Sequence, residues 1–232
     1  MGIPIGVIMN SGAIVLAGLL GTVLKGKIPP RLIERMPITL GLAAITIGIS
    51  AIIKLETIPV VVLSLVIGSA IGELLDIDKN LLKAVRKLQR FPAASMDSEQ
   101  QETFITLLVL FGTSGTGIFG ALHAGMTGDH SILFAKSSLD FFMAISFAAT
   151  LGLVITTLAI PQFIIQYTLF ALASLVLPLI SDSMLANFQA TGGVLTFAIG
   201  LKIANIKDIR AVNLIPALFV VFFITSLWES FF

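Results

Sequence analysis

Lys136 and Asp140 lie four residues apart inside an otherwise apolar segment, residues 131–160. On a helix that spacing puts both side chains on one face, where they can neutralise each other. A charged side chain at bilayer depth costs on the order of 3 kcal/mol or more, so such residues face a bundle interior or a water-filled cavity. Two readings follow. In one, Asp140 binds a proton or a cation while Lys136 tunes it or contacts an anionic group. In the other, the two form a packed structural ion pair. Lys before Asp is the weaker orientation against the helix dipole, so local helix stability is a poor reason for the pair.

A second feature precedes it. Residues 112–117 read Gly-Thr-Ser-Gly-Thr-Gly, and Gly120 follows. Each glycine in a helix interior costs about 1 kcal/mol relative to alanine, which predicts an interrupted helix here. Thr113, Ser114 and Thr116 would then stand beside exposed backbone and coordinate an ion or polar solute. Close helix packing by small residues is the alternative. The run lacks the Gly-Lys-Ser/Thr ending of a phosphate loop, so nucleotide binding is not supported.

Asn10 and Asn213 are uncharged polar groups in apolar segments and join the candidate substrate- or ion-binding set, although either alone is accounted for by an interhelical hydrogen bond. Pro216, three residues after Asn213, should bend its span. Asp129, in the 123–130 connection, is a candidate gate or ion-capture point, or an N-cap for the next helix. Glu73 is a further candidate gate, or an interfacial carboxylate beside the Gly68/Gly72 packing face.

These residues sit in a chain that is 56% hydrophobic and 12% charged, against about 25% charged in soluble domains. The apolar residues come in blocks, which makes lipid the solvent and predicts an all-α membrane protein, one polytopic domain over 1–232. Eight spans are expected, at 3–24, 38–53, 58–75, 104–122, 131–158, 162–180, 185–203 and 212–228. The first has neither a charged leader nor a cleavage site and is expected to remain as a span. Lys25, Lys27, Arg31 and Arg35 lie between spans one and two, Lys79, Lys83, Arg86, Lys87 and Arg90 between three and four, and Lys202, Lys207 and Arg210 between seven and eight. Alternating crossings put all these on one side, which the positive-inside rule makes cytoplasmic, with both termini outside. Residues 77–102 form a basic linker, and Leu81, Leu82, Val85 and Leu88 opposite its cations predict an amphipathic helix on the inner leaflet or a solvated hairpin.

With no cysteine and two histidines, the chain excludes disulfides, thiolate metal sites and a multi-histidine zinc site. A net charge of +1 gives no argument for nucleic acid. No nucleophile–base or metal constellation is recognisable, so an enzyme is not expected, and no cofactor is implied. A shift of 152 residues lays Gly41 on Gly193, Gly48 on Gly200 and Glu56 on Asp208. If more than glycine coincidence, this relates spans one to three to spans six to eight as an inverted repeat around two central spans. Glycines at Gly68 and Gly72, and at Gly12, Gly18 and Gly21, would let backbones approach closely and suggest a homodimer.

The block 112–140, reading Gly-Thr-Ser-Gly-Thr-Gly-Ile-Phe-Gly-Ala, then Gly-Met-Thr-Gly-Asp, then Ser-Ile-Leu and Lys-Ser-x-Leu-Asp-Phe-Phe, resembles the YqgA/YdfK-like family of bacterial integral membrane proteins. So do Gly-Glu-Leu-Leu at 72–75, Thr-Gly-Gly at 191–193 and Asn-Leu-Ile-Pro-Ala at 213–217. The resemblance covers nearly the whole chain. It implies a multi-pass protein of the bacterial inner membrane and, the family being one of unknown function, no activity and no residue role. The residues themselves favour secondary transport of a small polar or charged solute coupled to a proton or cation. A non-transport assembly or sensory protein and an ion channel are the alternatives. The partners expected are the lipid bilayer and a small solute or ion. Transport predicts a hydrated cavity at Asp140; a scaffold predicts a dry bundle.

Overall fold

The computed structural model describes residues 2–80, 83, 104, 107–108, 111–112, 114–176 and 179–231. These residues form an all-helical bundle: α1 (Ile5–Val23), α2 (Pro30–Ile52), α3 (Ile58–Leu74), α4 (Gly115–Thr127), α5 (Ser131–Leu151), α6 (Ala159–Val176), α7 (Asp182–Ile203) and α8 (Ala217–Phe231). Local chemistry sets most of the ends. Pro30 occupies the first turn of α2, where its missing N–H costs nothing. Gly128 and Gly152 take positive φ (74° and 75°) after α4 and α5, a conformation glycine reaches without a Cβ clash. The Ser181 hydroxyl accepts from the Met184 N–H at 3.1 Å and opens α7, whose Asp182 and Lys202 match the helix dipole at either end.

Five of the described helical segments are long and apolar enough to cross a membrane, and α3 is a shorter apolar helix. At about 1.5 Å per residue, the 19 residues of α1 rise close to the thickness of a hydrocarbon core. The outward faces are apolar: Leu16, Ile164 and Phe223 are 58%, 58% and 78% exposed. The inward faces carry the polar side chains, an arrangement that suits a solvent unable to hydrogen-bond.

Contacts sort the connections into two ends. Gly6 packs on His130, the Thr57 N–H donates to Asn187, and Ser181 donates to Glu229, so the N-terminus, the 53–57 and 128–130 connections, residues 179–181 and the end of α8 share one end. Arg210 pairs with Glu73 at 3.2 Å, and Gly41 meets Ala204, so the basic connections share the other. Of the expected basic amphipathic helix, residues 77–80 and Lys83 are described; they are helical, with Lys79 and Lys83 exposed, and the rest lies outside the described residues.

Several span limits move. The second helix starts at Pro30, not at 38, because a helix continues into headgroup depth where hydropathy no longer marks it. The expected fifth span is α-helical only to Leu151, and a 3₁₀ segment, Gly152–Leu158, carries the chain straight into α6 at Ala159. The eighth begins at Ala217, after a 3₁₀ turn (Ala211–Leu214) and Pro216, which has no N–H to donate.

Several helix pairs rest on glycine. A Cβ on Gly48 would lie 2.7 Å from the Gly193 carbonyl oxygen, and one on Gly200 2.7 Å from that of Gly41, so α2 and α7 touch backbone to backbone. Gly68 and Gly72 likewise press on Ala217 and Asn213, while Gly18 and Gly21 press on Thr156, Ile145 and Ala148. Of the glycines that suggest a homodimer, only Gly12 faces open space. The others are used within the chain and do not argue for a second copy.

Candidate functional site

The helix of the fourth span is interrupted where the glycine run predicts. Phe111 and Gly112 are helical, Ser114 is extended (φ −62°, ψ 134°), and α4 starts at Gly115. The Ser114 hydroxyl accepts from the Gly117 N–H at 3.0 Å, so Ser114 acts as the cap of a half-helix. Phe104, Leu107 and Phe111 pack with Ala144 and Ala148 in the basic-end half of the bundle, which places the break in mid-span. Thr113 lies outside the described residues.

The Lys136–Asp140 pair faces this break. The Lys136 ammonium donates to Asp140 Oδ2, and the two residues are 3% and 5% exposed. Gln162 of α6 donates to the same oxygen at 3.3 Å. Asn10 of α1 faces the carboxylate and donates to Gln166 Oε1 at 3.3 Å. The Lys136 ammonium also lies 5.9 Å from the centroid of the Phe111 ring, a favourable placement for a desolvated cation. Beside the pair is a cavity of about 20 Å³, lined by Ser114, Thr116, Lys136 and Asp140 and, on its apolar side, by Ala44 and Ile199. That volume holds about one water molecule.

The cavity's surroundings differ at its two ends. A vestibule of about 380 Å³ enters from the basic end between α2, α5 and α7, with Lys202 and Asn205 in its wall. Met143 and Ile203 belong to the walls of both spaces, so the two adjoin across these apolar side chains. Towards the opposite end, Val7, Ala124, Leu133 and Phe170 form a buried cluster, with His130 stacked on Phe170 at 5.9 Å.

The structure therefore gathers Asp140, Lys136, Ser114, Thr116 and Asn10. It does not gather Asn213, whose side chain accepts from the Asp78 N–H at 2.9 Å and ties down the 75–80 turn at the basic end. Glu73 is likewise outside the site, half-exposed in its pair with Arg210, worth at most about 1 kcal/mol. Gln162 and Gln166 are the residues that sequence reasoning misses. Their signal is an i,i+4 pair of amides in an apolar segment, but Gln162 stands at the segment's edge and reads there as a boundary.

Asp129 stands one residue before the N-cap of α5, His130, whose side chain makes no cap bond; the Asp129 carboxylate accepts from the Ser131 N–H at 2.8 Å. Partial burial pushes this carboxyl up, but hydrogen bonds from Ser131 and the fields of His123 and Lys54 outweigh it and hold it below the usual range. Its contribution is thus complete above the ordinary carboxylate pKa and lost only as pH falls through the depressed one. Asp129→Ala is expected to cost about 1 kcal/mol, as for a lost cap, with Asp129→Asn retaining most of it. Thermal unfolding of both variants in detergent checks this; equal losses would show that the cap bond is not the cause. Nearby, His123 is buried between the Asp129 carbonyl (3.3 Å) and the Gln189 amide (3.0 Å), apart from the Lys136 group.

Comparison with known proteins places this geometry in context. Residues 5–226 match the family described as Protein of unknown function (DUF554). The chain is 43% identical to "Uncharacterized protein YqgA" of Escherichia coli (strain K12), over 98% of this chain and 99% of the relative. It is 26% identical to "Uncharacterized membrane protein YdfK" of Bacillus subtilis (strain 168), over 93% of each. No solved structure matches.

Proposed function

The chain belongs to the DUF554 family of proteins of unknown function, and on that premise we propose that it is a secondary transporter of a small polar or charged solute, coupled to a proton or cation. The observation that carries this reading is a buried Lys–Asp pair facing a helix interrupted in mid-span, beside a cavity approached by a vestibule from one end. Half-helix ends and ionisable groups at bilayer depth are what ion-coupled carriers use to hold solute and coupling ion. The small cavity beside the pair, set against a much larger vestibule at one end only, favours alternating access over a channel, which needs a continuous path.

The packing of α2 on α7 supports an inverted repeat as the source of that alternation. The 152-residue shift lays Gly41 on Gly193 and Gly48 on Gly200, and the contacts are reciprocal: Gly41 meets Gly200 and Gly48 meets Gly193. A two-fold relation between α1–α3 and α6–α8 would produce this exchange. The same shift lays Asn10 on Gln162, both of which face Asp140. Rocking of one repeat against the other would open the Val7–Leu133–Phe170 cluster as the vestibule closes. By the positive-inside rule the basic end is cytoplasmic, in the bacterial inner membrane, with both termini outside.

Proteoliposomes enclosing a pH-sensitive dye test the function. Amino acids, carboxylates and inorganic ions are added singly to one side, with and without sodium. At least one is expected to move protons, or to move with sodium, through the wild-type protein and not through the Asp140→Asn/Lys136→Met double variant. Equal flux through both, or no flux with any solute, would overturn the proposal.

A further inference from the structure

The transport reading leaves the solute's charge open, and the donors around the cavity narrow it. Three features converge on the first turn of α4. The first is the start of a 13-residue helix, whose unpaired N–H groups and dipole favour negative charge. The second is Lys136, whose Cε lies 2.8 Å from where a Cβ on Gly117 would stand. The third is Gln166, whose Nε2 lies 3.0 Å from the same point. Gln166 is 1% exposed, and among the described residues its Nε2 has no hydrogen-bond partner. The network explains why that nitrogen points there. Asn10 Nδ2 is committed as a donor, facing the Asp140 carboxylate, so Gln166 must turn its oxygen to Asn10 and its amino group to α4. A buried donor left unpaired is costly unless something accepts from it.

Resting on the transport reading, we propose that the solute is a small monovalent anion, held by the start of α4, Gln166 and Lys136, and that a proton on Asp140 is its coupling ion. While ionised, Asp140 occupies the ammonium and stands in for the anion. A proton on the Asp140 carboxylate removes that counter-charge and leaves Lys136 free to take the anion, so proton and anion enter together as a neutral pair. Among the described residues, Lys136 is the only ionisable group facing Asp140. α1 contributes Asn10, α6 contributes Gln162, α4 contributes Ser114 and Thr116, and α2 and α7 present apolar side chains. Gly117 keeps the approach open, since any side chain there would collide with Lys136 and Gln166. Lys202, paired with Asp208 at 3.5 Å, is the cation in the vestibule wall that an anion entering from the basic end meets.

The test is a binding measurement on the intact protein in detergent, independent of flux. Formate, acetate, nitrate and chloride are added singly, as choline salts and as sodium salts, to weakly buffered protein, and proton uptake and thermal stabilisation are recorded. At least one anion is expected to draw protons from solution, in proportion to occupancy, with either cation. Its affinity should fall about tenfold per pH unit once Asp140 must be protonated to bind it, as linkage requires. Asp140→Asn should bind the anion with no proton uptake and no pH dependence, and Lys136→Met should not bind it. Should a single variant not fold, the wild-type proton uptake and pH slope decide by themselves. Stabilisation by sodium alone with proton release, or no response to any of the four anions, would overturn the proposal. Solute flux that vanishes in the double variant, without anion-linked proton uptake, would refute the anion and leave transport standing. Anion-linked uptake without flux would do the reverse.

Discussion

Gly48→Leu is expected to abolish the folded protein. Even a Cβ at Gly48 would lie 2.6 Å from the Phe197 nitrogen and 2.7 Å from the Gly193 carbonyl oxygen, both backbone atoms of α7. Neither can rotate away, so the helices must separate. A closer approach, 1.9 Å between a Cβ on Gly72 and the Asn213 carbonyl oxygen, involves a connection that can yield. The Gly48 contact is helix against helix and cannot. Overpacking in a core costs about 1–3 kcal/mol or more, and this site must take a full leucine where an alanine is already too large. Parting α2 from α7 also opens the wall formed by Ala44, Ile199 and Ile203 around the cavity. Gly12→Leu is the control, because nothing lies within 4 Å of a Cβ there. Size-exclusion profiles in mild detergent should show Gly48→Leu aggregated and Gly12→Leu unchanged. Gly48→Leu running as wild type would refute the packing described; aggregation of Gly12→Leu instead would point to a second copy on that face.

Asp140→Asn is expected to cost more stability than Lys136→Met, and the double variant less than either. Breaking a buried pair from one side costs about 3–5 kcal/mol, because the remaining charge is stranded. The two strandings are not equivalent. Without the Asp140 charge, the Lys136 ammonium faces the positive end of α4 with only neutral partners, an amide oxygen and the Phe111 ring among them. Without Lys136, Asp140 keeps the Gln162 and Asn10 amides and can take a proton from solution. Thermal midpoints in one detergent at one salt concentration give the order. Lys136→Met as the more damaging change would contradict the proposed field at the start of α4. A double variant as unstable as Asp140→Asn would mean that something other than the stranded charge unfolds the protein.

Features that depend on neighbours along the chain are legible in the amino-acid sequence itself. The helical, membrane-spanning character follows from apolar block length, and the shared end of the basic connections from counting crossings between them. The pairing of Lys136 with Asp140 follows from four-residue spacing, and the break before Gly115 from glycines and hydroxyls crowded into one turn. Each is a local property, carried by helical periodicity and by the cost of placing a residue type in lipid. Tertiary structure decided the rest. Asn10 meets Gln166 across 156 positions, and Gln162 meets Asp140 across 22. No local period encodes which face of α1 or α6 turns inward when every face is apolar enough for lipid. The same ambiguity makes Asn213 and Glu73 look like candidates, since a polar residue in or beside a span reads alike whether it caps a turn, pairs at the surface or holds a solute. Glycine faces are equally silent about their partner: Gly68 and Gly72 allow close approach, and only the fold determined that Ala217 and Asn213 of the same chain would make it.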